Sequence, residues 1–298
     1  MKNPENVDVE KYFVSLQSRD GILLCQGNDV ESKFSNTAQD NLFRIEDSSW
    51  WFQYRANVIG QLAQRFFSKE KMIFDVGGGN GYTTHQIQKR GYMAALLEPT
   101  FAACLNARER GLQTVICGTL TKEAVKDNSM EQIFLLDVLE HIEHDAEFLQ
   151  LMWSKLEPGG KFLLTVPAFR ALWSSEDDAA GHYRRYRLKQ LESVARAAGF
   201  SVSYINYFFE FLFLPILVVR VWMEKIGLIR RSGERTEEEQ KRISESQFKE
   251  KTGIVQKGLN ALEHFELKRL LRGKKVRFGS SIICVLEKHT ENHELKSA

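Results

Sequence analysis

Apolar and polar positions in this chain fall into blocks whose period switches repeatedly between two and 3.6. Short apolar runs at 72–76, 94–98, 112–117, 132–137, 160–166 and 201–205 are separated in most cases by stretches of helical periodicity at 81–90, 100–110, 145–156 and 187–198. That alternation predicts an α/β fold with a doubly wound, mostly parallel sheet and right-handed crossovers. One more apolar run, Ser-Ile-Ile-Cys-Val-Leu-Glu at 281–287, predicts a last strand after a long interruption. Upstream, the runs 12–16 and 22–25 flank Asp20-Gly21 and predict a short hairpin, followed by a polar loop over 27–35. The aromatic phrase Trp50-Trp51-Phe52-Gln53-Tyr54-Arg55 leads into a helix through Ile59, Leu62, Ala63 and Phe66.

The run 72–76 ends in a glycine cluster that reads Asp75-Val76-Gly77-Gly78-Gly79-Asn80-Gly81. A strand, a tight glycine loop and a helix start present backbone N–H groups and a helix N-terminus to a ligand. Glu98 ends the next strand, at the distance where a carboxylate grips the hydroxyls of a ribose. A nicotinamide fingerprint would need a third glycine at position 82, which is Tyr82. The spacing Asp75-x-Gly77-x-Gly79-x-Gly81 instead resembles the donor-binding motif of the class I S-adenosylmethionine (SAM)-dependent methyltransferases. The resemblance implies a seven-stranded sheet with an antiparallel last strand. It also implies SAM as cofactor, held by Asp75, Gly77, Gly78, Gly79, Gly81, Glu98 and Pro99. The adenine is often held by an acid after the third strand in this family; here that place reads Cys117-Gly118-Thr119, so Gly118 and the Thr119 hydroxyl take its role.

Two further phrases lie where the carboxyl ends of strands, and hence ligands, are expected. Asp137-Val138-Leu139-Glu140-His141 closely resembles the family segment that faces the methyl group. It places Asp137 and Val138 beside the cofactor and offers Glu140 and His141 for catalysis. A helix start with a favourable N-terminal charge is the plainer reading of Glu140 and His141. Gly181-His182-Tyr183-Arg184-Arg185-Tyr186 resembles a loop of a bacterial subset of these enzymes, of the methyltransferase type 11/23 kind. His182 rivals His141 as general base, since imidazole titrates near neutral pH. Arg184 and Arg185, with Trp51, Trp173 and Tyr186, are candidates for an anionic acceptor, because guanidinium binds carboxylate or phosphate in a bidentate manner. The alternative for Arg185 is an ion pair with Asp177. The Trp50–Arg55 phrase resembles a segment of the same subset whose helix closes over the cofactor, with Tyr54 and Arg55 reaching it. Its plain alternative is aromatic packing of a helix on the sheet edge.

The interruption before the last strand is the chain's least ordinary feature. Residues 207–229 are rich in Phe, Leu, Val and Trp, but the uncharged run covers only 211–219, short of the roughly 20 residues a spanning helix needs. The segment therefore reads either as a helix buried in the core or in a homodimer interface, or as a helical hairpin on a membrane surface, flanked by Arg220, Lys225, Arg230 and Arg231. Residues 232–252 are charged and predict a solvated helix or linker, and 259–271 is amphipathic. The resulting division is an extension over 1–48, a SAM-binding core over 49–206 and 278–290, and a helical insertion over 207–277 acting as substrate cap or membrane-surface element.

Composition narrows the remainder. The 298 residues suffice for one large core. A net charge of +2 gives no bulk attraction to nucleic acid, and none is expected as a partner. Cys25, Cys104, Cys117 and Cys284 are scattered, without disulfide or zinc spacing, and fit a reducing cytoplasm. No metal-ligand cluster stands out in the linear sequence, and the polar start of the chain is no secretory signal. The reading that results is a SAM-dependent methyltransferase, and the resemblance to the bacterial subset, which often carries such an insertion and acts on cell-envelope glycans or lipid-linked intermediates, implies O-methylation of a small, glycan-like or lipid-linked acceptor. Its rivals are a SAM-binding regulator or scaffold without turnover and an RNA or protein methyltransferase. The location is cytoplasmic, with peripheral contact at the inner membrane face as the variant tied to 207–229.

Overall fold

The computed structural model describes residues 9–25, 36–236, 239 and 253–289. One nine-stranded sheet organises them. Its strands are β1 Leu16–Arg19, β2 Ile22–Cys25, β3 Ile73–Val76, β4 Ala94–Glu98, β5 Val115–Cys117, β6 Met130–Leu136, β7 Leu156–Pro167, β8 Ser201–Phe208 and β9 Ser281–Glu287. They lie in the order β1-β2-β5-β4-β3-β6-β7-β9-β8. From β2 to β7 every neighbouring pair is parallel; β9 is antiparallel to both β7 and β8. The central strands β3 and β4 are buried along their whole length, as expected of parallel strands covered on both faces. The helices are α1 Asn36–Glu46, α2 Trp50–Phe66, α3 Tyr82–Lys89, α4 Phe101–Glu109, α5 Asp145–Lys155, α6 Ser175–Ala180, α7 Leu188–Ala197 and α8 Gly253–Leu271.

Seven of these strands form the expected sheet, with the last one antiparallel. The other two come from the N-terminal hairpin, which adds itself to the β5 edge through parallel pairing of Leu23 with Ile116 and Leu24 with Cys117. An uncovered edge strand presents unpaired N–H and C=O groups, and β2 removes that exposure from β5. The hairpin turns at Asp20 and Gly21, with φ of +53° and +73°, the double left-handed conformation that two-residue hairpins require. Its first strand starts at Leu16 rather than at 12, because Tyr12 and Phe13 are drawn into the core against Phe74 at 4.7 and 6.2 Å. The predicted loop over 27–35 lies outside the described residues.

Three strands end in a non-glycine residue with left-handed backbone: Asp137 after β6, Phe169 after β7 and Phe209 after β8, each at φ +58°. Such conformations are sterically costly and persist only where surrounding contacts impose them. Here they bend the chain sharply at the carboxyl edge of the sheet, so that the following segments gather above that edge.

After β8 the chain makes a 3-10 turn at Glu210–Leu212 and then a continuous helical run through Phe213–Pro215, a π-helical stretch Ile216–Trp222 and Met223–Lys225. Phe211 packs against Trp50 and Tyr54, and Phe213 against Phe169 and Phe278. The outer side carries Leu214, Val218, Trp222 and Ile226, all exposed. Of the charged segment 232–252, only 232–236 and 239 lie among the described residues. Helix α8 returns to the core through Glu266, which accepts hydrogen bonds from the Tyr54 hydroxyl at 2.6 Å and from the Phe209 and Glu210 N–H groups. Among the described residues, no helix is long and apolar enough to cross a membrane.

Candidate functional site

Strand β3 ends at Val76, and the glycine loop turns into α3 at Gly81. A Cβ on Gly77 would come within 2.8 Å of the Val138 side chain, and one on Gly78 within 2.6 Å of the Asp75 carboxylate and of Leu96. Only glycine lets the loop lie this close to β4 and β6. At Gly79, φ is +57° and nothing lies within 4 Å of a Cβ position, because that residue faces open space. The space is a cleft of about 310 Å³ between the loop and α2, within the range of small-molecule sites. Trp51, Phe52 and Arg55 of α2 form its roof, Asp75, Thr83 and Asp137 line its depth, and Leu42 and Glu46 of α1 close one side.

Buried charge defines the inner wall. The Arg55 guanidinium pairs with Asp137 at 2.6 Å and contacts the Thr83 and Thr165 hydroxyls at 3.4 and 3.5 Å. Thr165 in turn donates to Asp137 at 3.1 Å. Asp75 is 1% exposed. One of its oxygens accepts from the Thr84 hydroxyl at 2.7 Å, and the other, Oδ1, is buried with no hydrogen-bond partner. Burial pushes its pKa up to about 6.

At the next strand, Glu98 accepts from the Gly79 N–H at 3.0 Å and from the Thr100 N–H at 2.9 Å. Its pKa is raised by burial, with these bonds opposing. Pro99 follows it, and Gly118 is fixed by a bond from its N–H to the Glu98 carbonyl at 3.0 Å. The Thr119 Oγ1 is buried without a hydrogen-bond partner. Glu98 thus ends β4 and Gly118 and Thr119 follow β5, while Asp75 lies on β3, Asp137 follows β6 and Arg55 faces them from α2.

Beyond Asp137, a 3-10 turn at Leu139–His141 carries Glu140 and His141. The loop 181–186 is tied to this turn by a bond from the Tyr183 N–H to the Glu140 carbonyl at 2.8 Å. That brings the His182 and His141 rings to a centroid distance of 4.7 Å, edge to face. His182 Nδ1 bonds Asp177 Oδ1 at 2.8 Å, and Arg185 clasps both Asp177 oxygens at 2.7 and 3.0 Å. Burial works to raise the Asp177 pKa, but the bonds from His182 and Arg185 outweigh it and hold the carboxyl down at about 2. Glu140 is 1% exposed. Burial, and then the nearby Asp137 charge, push its pKa well above the ordinary range.

Four sequence candidates lie away from the cleft or bond to other groups, and Arg185 takes its alternative pairing. Tyr54 points away from the cleft to Glu266 in α8. Arg184 pairs with Asp145 at 2.7 Å and with the Glu143 carbonyl, and Arg185 is committed to Asp177 and the Ala168 carbonyl. Neither guanidinium is presented to an acceptor, since both satisfy buried or half-buried carboxylates first. Tyr186 is fully buried and bonds Asp145 at 2.7 Å. Trp173 bonds Asp178 at 2.9 Å and lies under Arg170. Conversely, Leu42, Glu46, Phe52, Thr83 and Thr165 escaped the sequence reading. The helical spacing of Leu42, Ile45 and Glu46 was the available signal for α1; no local pattern marks Thr83 or Thr165.

A family model described as a methyltransferase domain matches residues 51–205, just over half of the chain. A protein of Mycolicibacterium smegmatis described as a probable S-adenosylmethionine-dependent methyltransferase is 24% identical over 179 residues, covering 59% of this chain and 69% of its own. Among solved structures, a chain of the Haloferax volcanii complex between the Trm112 methyltransferase activator and its methyltransferase aligns at a TM-score of 0.53 and 14% identity. The alignment covers 87% of this chain and 96% of that one. Phosphoethanolamine N-methyltransferase 2 of Haemonchus contortus, solved with S-adenosyl-L-methionine, gives 0.53 at 16% identity. It covers 87% of this chain, which spans only 59% of that longer one. The cyclase SpnF gives 0.54 at 16% identity, over 86% of this chain and 94% of its own. At these identities the structural likeness is one of fold.

The buried carboxyl of Asp75 generates a prediction. Its folded pKa lies above the unfolded value, so its contribution is fully present below about pH 4 and is lost as pH rises through 6, the loss reaching about 3 kcal/mol at pH 7.5. Asp75→Asn is expected to raise the melting temperature by several degrees at pH 7.5, with the gain shrinking toward pH 5. Thermal unfolding at both pH values checks this; a fall at pH 7.5 would mean that the ionised carboxylate is a net support of the fold.

Proposed function

This chain belongs to the methyltransferase-domain family, among the class I SAM-dependent enzymes, and on that premise we propose that it methylates a hydroxyl group on a small, glycan-like or lipid-linked acceptor. The observation that carries the reading is the pair of imidazoles, His141 and His182, held 4.7 Å apart at the carboxyl end of β6, a few residues past the Asp137 that lines the cleft.

The residues present fit the cofactor. The open face at Gly79 and the glycine loop accept a ligand against the backbone. The unpartnered Asp75 Oδ1 is an acceptor for the donor's ammonium group, and Arg55, though paired with Asp137, lines the same cleft with its Nε free of a hydrogen-bond partner and would meet the carboxylate there. Glu98 would exchange a backbone N–H for ribose hydroxyls, and the Thr119 hydroxyl supplies a polar contact for adenine. SAM brings a methyl group already activated by its sulfonium. The chain's part is then to orient and to handle a proton. Alignment of acceptor and methyl along one line contributes several kcal/mol by itself, about 7 or more in favourable cases. A hydroxyl acceptor must also lose its proton, and a positioned base adds about 10²–10⁴ in rate. His182 suits that role, because Asp177 fixes its ring through Nδ1 and leaves Nε2 for the acceptor.

The acceptor class rests on the insertion. Leu214, Val218, Trp222 and Ile226 form an exposed apolar row at four-residue spacing, with Lys225, Arg230 and Arg231 at its end. An apolar row next to basic residues suits the surface of an anionic bilayer, where a lipid-linked acceptor would be met.

Two outcomes are expected. With SAM labelled in its methyl group, the protein should transfer label to hydroxyl-bearing lipid-linked glycans, and His182→Ala should slow the transfer about 100-fold or more. SAM binding without transfer to any acceptor would favour a regulator or scaffold. In co-sedimentation, anionic vesicles should retain the protein, and Leu214→Glu with Trp222→Glu should release it; retention unchanged by both would remove the membrane element of the reading.

A further inference from the structure

We infer that Glu140, His141 and His182 form a binding site for one divalent transition-metal cation, which holds and acidifies the acceptor hydroxyl; the catalytic part of this inference rests on the methyltransferase reading above. One ligand atom from each of the three residues lies within 4.8 Å of the others. Metal bonds of about 2.0–2.2 Å place neighbouring donors about 3 Å apart, so binding asks these side chains to close by less than about 2 Å. Two imidazoles and one carboxylate on one side of an ion leave its other positions open for substrate oxygens.

Three independent features support the assignment. Glu140 is 1% exposed, and its Oε2 is buried with no hydrogen-bond partner. A buried carboxylate in that condition is costly unless a cation meets it. The arginines that act on it, Arg55 and Arg185, are already committed to Asp137 and Asp177. Next, Asp177 is held ionised and can only accept, so the bond at 2.8 Å takes its proton from His182 Nδ1, and the neutral ring then carries its lone pair on Nε2. A carboxylate behind a histidine in this way orients metal-binding imidazoles and raises their basicity. Finally, His182 is distant in sequence from the adjacent Glu140 and His141 but is tied to their turn, since the Tyr183 N–H bonds the Glu140 carbonyl and Asp177 anchors the His182 ring.

The nitrogen-rich donor set suits Mn²⁺, Fe²⁺ or Zn²⁺ better than Mg²⁺ or Ca²⁺. With an ion present, the imidazoles act as ligands, and the ion takes over the activation of the hydroxyl that His182 performs as a base in its absence. The ion lowers the pKa of the bound hydroxyl, whose proton passes to water. The oxygen then forms the new O–CH₃ bond as the S–CH₃ bond breaks, its electron pair remaining on the sulfur of the demethylated product. No electron leaves or enters the ion.

The test uses the full chain stripped with a chelator and titrated with MnCl₂, following the electron paramagnetic resonance of free Mn²⁺. One equivalent should be taken up and then displaced by Zn²⁺. Glu140→Gln, nearly isosteric, and His182→Ala should each weaken uptake at least tenfold, while calorimetric SAM affinity stays within twofold. No uptake by the wild-type chain, or uptake unchanged in both variants, overturns the site. SAM binding separates the two readings. A chain that binds SAM but no Mn²⁺ loses only the metal site, and one that binds Mn²⁺ but no SAM loses the methyltransferase reading.

Discussion

The Arg55–Asp137 ion pair is the contact on which the site depends. Arg55 is buried on α2, and Asp137 sits in a left-handed conformation at the end of β6. Thr165 of β7 and Thr83 of α3 complete the arrangement. Four elements are therefore bound at one point, directly beneath the cleft. Breaking a buried pair by removing one partner leaves an uncompensated charge and costs about 3–5 kcal/mol. The pair fixes the height of α2 over the glycine loop and directs the chain beyond Asp137 toward Glu140 and His141.

A second layer is built on that point. The left-handed turns at Asp137, Phe169 and Phe209 send three successive segments over the carboxyl edge of the sheet. Phe209 is held by Glu266 of α8 and stacks on Trp51 at 5.6 Å with nearly parallel rings. Trp51 also lies over Arg55, at 5.5 Å. The insertion is thereby mechanically continuous with the roof of the cleft.

Much of this was legible in the sequence where chemistry is local. Asp75 to Gly81 and Glu98 lie within short phrases whose residue types are dictated by backbone geometry, and the structure gathers them around the glycine loop. The strands were legible for the same reason, because buried parallel strands must be continuously apolar. The failures share a different cause. For Arg185 the structure takes the alternative ion pair with Asp177, whereas the partner of Arg184, Asp145, comes from a segment that no local pattern connects to it. The resemblance of the Trp50–Arg55 phrase implies Tyr54 at the cofactor, yet successive helix residues face different directions and its hydroxyl belongs to Glu266. The added hairpin strands answer an edge-protection requirement of β5 that no local pattern displays. The grouping of Glu140, His141 and His182 depends on a loop folding back, so linear spacing gave no sign of it.

The molecule thus presents a cleft between the glycine loop, α2 and α1, with Glu140 and His141 following the Asp137 that lines it and His182 packed on His141. A crystal structure with S-adenosylhomocysteine tests that arrangement most directly. The product's amino-acid end should lie between Gly79 and Arg55, its ammonium on Asp75 and its ribose on Glu98, with the sulfur turned toward His141 and His182. A product bound away from the glycine loop, or with its sulfur facing away from the two histidines, would contradict it.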